Sequence, residues 1–329
     1  MRGVAVCRER PAGARRSATA GWYRAHRSSE IAARQGSDAL FVDADCFLDA
    51  TKSEVLALLA ERFGQIDHLI YSVAAPRRSG QWRHPYLRAG TRRRSVPQPY
   101  AHLHRHRRAP HRGHGDRSAT EQEREATVAV MGGADWASWV RHALARGLPA
   151  PGFSTVALSH IGPELTSAIY RRGTIGAAKR HLEDTARAMD AHLRPHGSSA
   201  STGVLGCTVT QAAASVPGIC LYLALLRRAL GCELPSTVDP SKRLWDHLAD
   251  AVPLTPDADA RIRLDAWETD PTVQDAVRDA WHRLDQAQPE AYADTLWLRD
   301  RLHELYGFGV PGVDYTAPVE LDVPWPAAV

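Results

Sequence analysis

The first seventy-six residues alternate between short apolar runs and one stretch with helical periodicity. The segments "GVAV" from Gly3, 39–47 and 66–76 are strand-like, and the third is an almost continuous apolar run that ends at a proline. Between the second and the third, 51–64 carries apolar residues at helical spacing and ends at Gly64. A strand, a helix and a strand within about forty residues form a βαβ unit, which predicts a parallel sheet with helices on its faces.

The same alternation of strand-like and helical segments recurs in the second half of the chain. Residues 153–162 and 201–214 are strand-like, and 177–193 between them has the spacing of a helix. Further on, 216–231 is apolar on nearly every side, which predicts a buried helix. Residues 270–284 are amphipathic and begin with an aspartate and a proline, which are typical of a helix start. We therefore expect one α/β domain over 1–329, with a helical C-terminal extension over 235–329.

One basic segment, 77–118, interrupts this pattern. It carries 12 arginines and a single acid, Asp116, so its local charge is +11, while the whole chain has a net charge of +4. Apolar residues are too sparse there to build a core, so we expect disorder or, given the abrupt ends, a frameshifted insert. A nucleic-acid arm is not expected, because aromatic residues for base stacking are few. A metal site at "HLHRHRR" is not expected either, because the histidines lack carboxylate partners.

Composition narrows the location and the redox chemistry. No apolar run is long enough to cross a bilayer, and the N-terminus lacks the apolar core of a signal peptide. The five cysteines show no CxxC spacing, which favours free thiols in a reducing compartment. We expect a cytoplasmic protein that has neither a membrane partner nor a structural metal.

The stretch "IYRRGTIGAAK", 169–179, carries the candidate chemistry. On an unbroken helix Tyr170 and Lys179 would face opposite directions, but Gly173 and Gly176 lie between them and Thr174 is a plausible helix cap. A loop tyrosine and a helix lysine can then meet, and a nearby ammonium would lower the pKa of the phenol toward a useful range. The competing interpretation is a surface lysine and a packing tyrosine.

This stretch resembles the Tyr-x8-Lys active-site motif of FabV-type trans-2-enoyl-CoA/enoyl-ACP reductases. Further segments resemble the family in the same order along the chain: "TAGWY", "YSVAAP", "VMGGADW", "VTQAAASVP", "RIRLDAWE" and "LYGFGVPGVDY". The resemblance implies a Rossmann-like parallel sheet flanked by helices and related to the short-chain dehydrogenases. It also implies NADH-dependent reduction of the 2,3-double bond of trans-2-enoyl thioesters in fatty acid biosynthesis. The substrate would be an enoyl-CoA or an enoyl-acyl carrier protein. We also expect a monomer.

The resemblance implies a role for individual residues as well. Tyr170 would donate the proton, with Lys179 as its partner, and His160 would contact the substrate. A carboxylate at Glu9 would accept from the adenosine ribose and repel a 2′-phosphate, which favours NADH over NADPH. The implied cofactor contacts are Arg8, Glu9, Asp45, Cys46, Val73, Ala74, Lys179, Thr208, Val209 and Thr210.

The basic segment 77–118 does not resemble the family, and two further departures leave an alternative open. The family has a strand and a glycine-rich phosphate loop ahead of "GVAV", and we expect both to be missing here. His160 stands where the family has a second tyrosine. The alternative is therefore a catalytically damaged remnant of the family that does not bind the cofactor.

Overall fold

A computed structural model of the chain describes residues 2–73, 119–214, 216, 218–284 and 289–326. The basic segment 77–118 and the predicted cofactor contact Ala74 lie outside these ranges. The prediction of a missing strand and glycine-rich loop ahead of the first strand stays a prediction.

The strands form two sheets. In the first, β1 and β2 pair in parallel, with Arg2 opposite Asp38 and Cys7 opposite Asp43. In the second, the order is β3-β4-β5-β6, and β5 is parallel to both β4 and β6. The strands described are β1 Arg2–Cys7, β2 Asp38–Asp43, β3 Ile66–Tyr71, β4 Pro149–Ser159, β5 Ser199–Leu205 and β6 Arg261–Leu264. The predicted α/β class with parallel pairing is confirmed.

Helices connect these strands. The helices described before β5 are α1 Ala20–Arg34, α2 Asp49–Phe63, α3 Glu121–Met131, α4 Ala134–Leu144, α5 Ser167–Tyr170 and α6 Thr174–Leu193. Those after it are α7 Gln211–Ala214, α8 Ile219–Leu230, α9 Val238–Leu248, α10 Ala266–Thr269, α11 Pro271–Arg283 and α12 Thr295–Glu304. None of these described helices has the length and apolar character needed to span a bilayer.

Several predicted elements are confirmed at their ends. The helix α2 stops at Gly64, whose φ of +78° suits a residue without a side chain. The Asp270 side chain accepts from the Thr272 and Val273 amides and so caps α11. The predicted buried helix is α8, in which every residue from Ile219 to Leu226 is buried.

Two sequence interpretations of the second half need correction. The predicted strand over 201–214 ends at Leu205, and its last residues form helix α7 instead. At Gly206 the chain packs closely, because a Cβ there would lie 2.4 Å from the Trp267 ring. The C-terminal region predicted as helical also contains β6. That strand has only four residues, and two of them are arginines, so its hydrophobic pattern is too weak to be recognised from sequence.

The chain divides into two compact units. One consists of the described residues within Met1–Asp67, Ser138–Pro151 and Val310–Val329, and the other of those within His68–Ala137 and Gly152–Gly309. The predicted single domain over 1–329 stays a prediction. The core of the second unit is built around α8, with Val277 of α11 and Leu298 of α12 fully buried against it.

Candidate active site

The carboxyl ends of β4 and β5 define one edge of the larger sheet. His160 follows the last residue of β4, and Cys207 lies two residues beyond β5. The two strands are parallel, so both segments leave the sheet at the same edge. The His160 Nδ1 donates to the Leu205 carbonyl at 2.8 Å, which joins the two segments. A carbonyl can only accept, so Nδ1 carries the proton and Nε2 has a free lone pair.

That lone pair has no partner within the described ranges. The His160 Nε2 is buried and makes no hydrogen bond to any described residue. The His160 ring instead meets the Tyr170 ring edge-on, with centroids 4.5 Å apart. Gly162 makes this approach possible, because its φ is +61° and a Cβ there would lie 3.2 Å from Nε2.

Tyr170 ends the single turn of α5 and is 8% exposed. Its pKa is raised, first by burial and then by the neighbouring Cys207 and Glu268. The phenol is therefore held protonated at neutral pH. The expectation that Lys179 lowers the pKa of Tyr170 is wrong for this structure, because burial and acidic neighbours dominate.

Glu268 organises a buried polar cluster next to Tyr170. Its carboxylate accepts from the Cys207 amide at 2.7 Å and from the Tyr222 hydroxyl at 2.8 Å. Gln274 donates to the Tyr222 hydroxyl at 3.1 Å and to the Glu268 carbonyl at 2.6 Å. Burial is the main reason that the pKa values of Glu268 and Cys207 are raised. No sequence pattern assigns a role to Cys207 or Glu268, although Glu268 ends "RIRLDAWE" and Cys207 lies two residues before "VTQAAASVP".

Lys179 occupies different surroundings in the second unit. It is half-buried on α6 and lines a pocket with Tyr71, Ser72, Val73, Met131, Leu158 and Leu182. Burial lowers the pKa of Lys179 to about 8, and the nearby Glu183 opposes this shift. The pKa values of Tyr170 and Lys179 are thus set by different neighbouring residues.

The glycines between Tyr170 and Lys179 shape the turn as predicted, but the helix begins one residue early. Helix α6 starts at Thr174, and its N-cap is Gly173 rather than the predicted Thr174. A Cβ at Gly176 would lie 2.3 Å from the Arg171 carbonyl oxygen, so only glycine fits without displacement. Tyr170, expected in a loop, ends a short helix instead.

The remaining predicted cofactor contacts of the second unit also follow strands. Val73 lies two residues beyond β3 and shares the pocket with Lys179. Thr208, Val209 and Thr210 follow β5 and are half-buried. The Thr210 hydroxyl accepts from the Ala213 amide at 3.0 Å, so it is already engaged at the start of α7.

The first unit holds the other predicted contacts at the carboxyl ends of β1 and β2. Arg8 donates to Asp45 at 3.1 Å, and the carbonyl of Cys46 accepts from Trp139 at 3.1 Å. The Glu9 carboxylate accepts from the Thr19 hydroxyl and lies against Gly21, where a Cβ would be 1.9 Å from Glu9 Oε1. These four residues are brought together, as their positions after two parallel strands predict.

Comparison with known proteins identifies the family. The profile "Trans-2-enoyl-CoA reductase catalytic region" matches residues 16–247, and "Enoyl reductase FAD binding domain" matches 256–319. The chain therefore belongs to the trans-2-enoyl-CoA reductase family of enoyl reductases.

Individual relatives agree with this assignment over almost the whole chain. The chain is 50% identical to an enoyl-(acyl-carrier-protein) reductase (NADH) of Streptomyces avermitilis over 332 residues, which cover 98% of this chain and 83% of the relative. Among solved structures, the trans-2-enoyl-CoA reductase of Treponema denticola in complex with NAD matches with a TM-score of 0.82 and 30% identity, covering 98% of this chain and 81% of that one. The Clostridium acetobutulicum enzyme in complex with NAD matches with a TM-score of 0.82 and 29% identity, covering 97% and 82%.

Proposed function

We propose that the chain is an NADH-dependent reductase of the 2,3-double bond of trans-2-enoyl thioesters, carried on CoA or on acyl carrier protein, in fatty acid biosynthesis. The relatives described above are named for this chemistry. The observation that carries the proposal is the buried phenol of Tyr170, which is held protonated at the carboxyl edge of a parallel sheet. A reduction of this kind needs a proton as well as a hydride, and a protonated phenol can supply the proton.

The residues present fit a nicotinamide cofactor in two places. The pocket beside β3 sets the half-buried Lys179 ammonium among polar and apolar side chains, where three N–H donors suit ribose hydroxyls. The carboxylates of Glu9 and Asp45 after β1 and β2 suit ribose hydroxyls. NADH, when bound, supplies the hydride. Lys179 would hold ribose hydroxyls and Tyr170 would deliver the proton. Further cofactor contacts would come from Arg8 and Cys46 in the first unit and from Val73, Thr208, Val209 and Thr210 in the second.

His160 is proposed to contact the substrate. Its Nε2 is an acceptor while Nδ1 stays bonded to Leu205, so it can receive a hydrogen bond but donates one only when protonated. FAD is not proposed, despite the description of the C-terminal family match, because the solved relatives hold NAD or NADH. A monomeric and cytoplasmic enzyme remains a prediction from the sequence.

The decisive experiment follows NADH absorbance in the presence of crotonyl-CoA or crotonyl-acyl carrier protein. We expect turnover by the full chain and a loss of about 10²–10⁴-fold in kcat for Tyr170→Phe, because the general acid is removed. The thermal midpoint should change little, because the Tyr170 hydroxyl makes no hydrogen bond to any described residue. Tyr306→Phe is the matched control, because Tyr306 is 54% exposed.

The same assay separates the rival readings. Absence of both turnover and NADH binding would support the damaged remnant. If the Tyr170→Phe variant turns over as fast as the wild type, the protein is a reductase but Tyr170 is not its proton donor.

A further inference from the structure

We propose that His160, Cys207 and Glu268 form a binding site for Zn²⁺. Each side chain offers one ligand atom, and the three atoms all lie within 4.8 Å of one another. Cys207 is 5% exposed and Glu268 is fully buried, so the group is not a chance cluster of solvated surface acids. The residues come from the ends of β4 and β5 and from α10, which are held together by the sheet.

The histidine is arranged as a metal ligand usually is. Ligating histidines commonly donate their other ring N–H to a carbonyl or a carboxylate, which fixes the tautomer and the ring plane. His160 Nδ1 makes this bond to the Leu205 carbonyl, and the buried Nε2 is left without a partner among the described residues. A metal ion would use the lone pair that the protein does not use.

The carboxylate is also held in place from behind. Tyr222 donates to one oxygen of Glu268 and the Cys207 amide donates to the other. Each carboxylate oxygen has two lone pairs, and each of these hydrogen bonds uses one of them. The second lone pair on either oxygen can therefore bind a metal ion. Gln274 in turn fixes the Tyr222 hydroxyl at 3.1 Å, which completes an outer shell of hydrogen bonds.

The donor set selects the kind of ion. Imidazole, thiolate and carboxylate together are typical zinc ligands, whereas Mg²⁺ and Ca²⁺ prefer oxygen alone. Binding replaces the S–H bond of Cys207 by an S–Zn bond and releases one proton to solvent. The resulting thiolate and carboxylate carry two negative charges, which balance the dication. Three protein ligands leave a fourth position open.

An ion at this site would lie next to the candidate proton donor, a consequence that rests on the proposed function. The Tyr170 ring packs edge-on against the His160 ring, with centroids 4.5 Å apart.

The test uses the full chain, stripped with a chelator and titrated with cobalt(II) chloride in the absence of NADH. We expect one equivalent to bind with a near-ultraviolet thiolate-to-cobalt charge-transfer band, which zinc chloride then abolishes by competition. Cys207→Ser should lose the band, and His160→Gln should weaken binding by at least about tenfold. Cys232→Ser is the matched control and should behave as wild type, because Cys232 is exposed.

Several outcomes would overturn the site. A wild-type chain that binds cobalt without the thiolate band would have bound it elsewhere, for example through the histidines of 77–118. A Cys207→Ser chain that keeps the band would exclude Cys207 as the ligand. Far-ultraviolet circular dichroism checks folding, and His160→Gln decides the question if Cys207→Ser does not fold. Because cobalt binding needs no turnover, failure of this proposal is distinguishable from failure of the reductase proposal.

Discussion

At the scale of single residues, burial sets the protonation of the two candidate catalytic groups. Burial is the largest cause of the raised pKa of Tyr170, and the charges of Cys207 and Glu268 add to it. Burial also lowers the pKa of Lys179 to about 8. Burial disfavours the charged form of each group, which is the phenolate for tyrosine and the ammonium for lysine. If Tyr170 is the proton donor proposed above, it would enter the reaction as an acid, while the lowered pKa of Lys179 lies at about 8.

The pH dependence of cofactor binding should follow Lys179. Its folded pKa is depressed, so the ammonium is present below pH about 8 and is lost above it. We expect the KM for NADH to rise as the pH passes 8 in the wild-type chain. In Lys179→Arg the charge persists, because the guanidinium does not titrate there, and the rise should disappear. Steady-state kinetics across this range would check it, and an identical rise in both proteins would assign the titration to another group.

At the scale of elements, a close contact forces the turn between α5 and α6. The Arg171 carbonyl oxygen lies 2.3 Å from where a Cβ on Gly176 would be, and the obstacle is backbone, which cannot rotate aside. The turn lets Tyr170 and Lys179 leave the helical register that would place them on opposite faces. Gly176 therefore allows the turn that sets the relative positions of Tyr170 and Lys179.

Gly176→Ala should destabilise the protein, although alanine is the better helix former. In an unobstructed helix this change would stabilise by about 1 kcal/mol. Here we expect the free energy of unfolding to fall by about 2 kcal/mol, because the added carbon overpacks the turn. Urea denaturation would measure it. Gly3→Ala is the control, since a Cβ at Gly3 meets nothing within 4 Å, and a stabilised Gly176→Ala protein would show that the turn relaxes freely.

At the scale of the whole molecule, the C-terminal tail completes the first compact unit. Trp325 donates to the Phe41 carbonyl at 3.0 Å, and its ring lies 4.8 Å from that of Trp22. Trp22 donates to the Val323 carbonyl at 2.7 Å, and Tyr23 donates to the Leu321 carbonyl at 2.9 Å. The tail thus packs against α1 and β2, which lie near the N-terminus.

Trp325→Ala should loosen that unit. We expect a loss of about 2 kcal/mol in the free energy of unfolding, because a large half-buried ring and a hydrogen bond are removed together. The thermal midpoint and the hydrogen exchange of β2 amides would report it. Val319→Ala serves as the control, since Val319 is 72% exposed. Unchanged exchange in β2 would mean that the tail does not support this unit.

Local order was largely readable from the sequence. The helix α2 and its stop at Gly64, the cap of α11 at Asp270 and the all-round apolar α8 each follow from rules that act over a few residues. The family resemblance likewise rests on short segments, and the comparisons confirm it. The short strand β6 was missed because four residues carry too little periodicity to identify it.

What the sequence alone determined is the βαβ pattern of several strands and helices, the parallel class of sheet and the family. The tertiary structure decided the chemistry of the site. It placed His160, Cys207 and Glu268 within one small volume and set the opposite pKa shifts of Tyr170 and Lys179. The physical reason is that hydrophobic periodicity and capping act between near neighbours in the chain, whereas desolvation and charge act through space between residues that only the fold brings together.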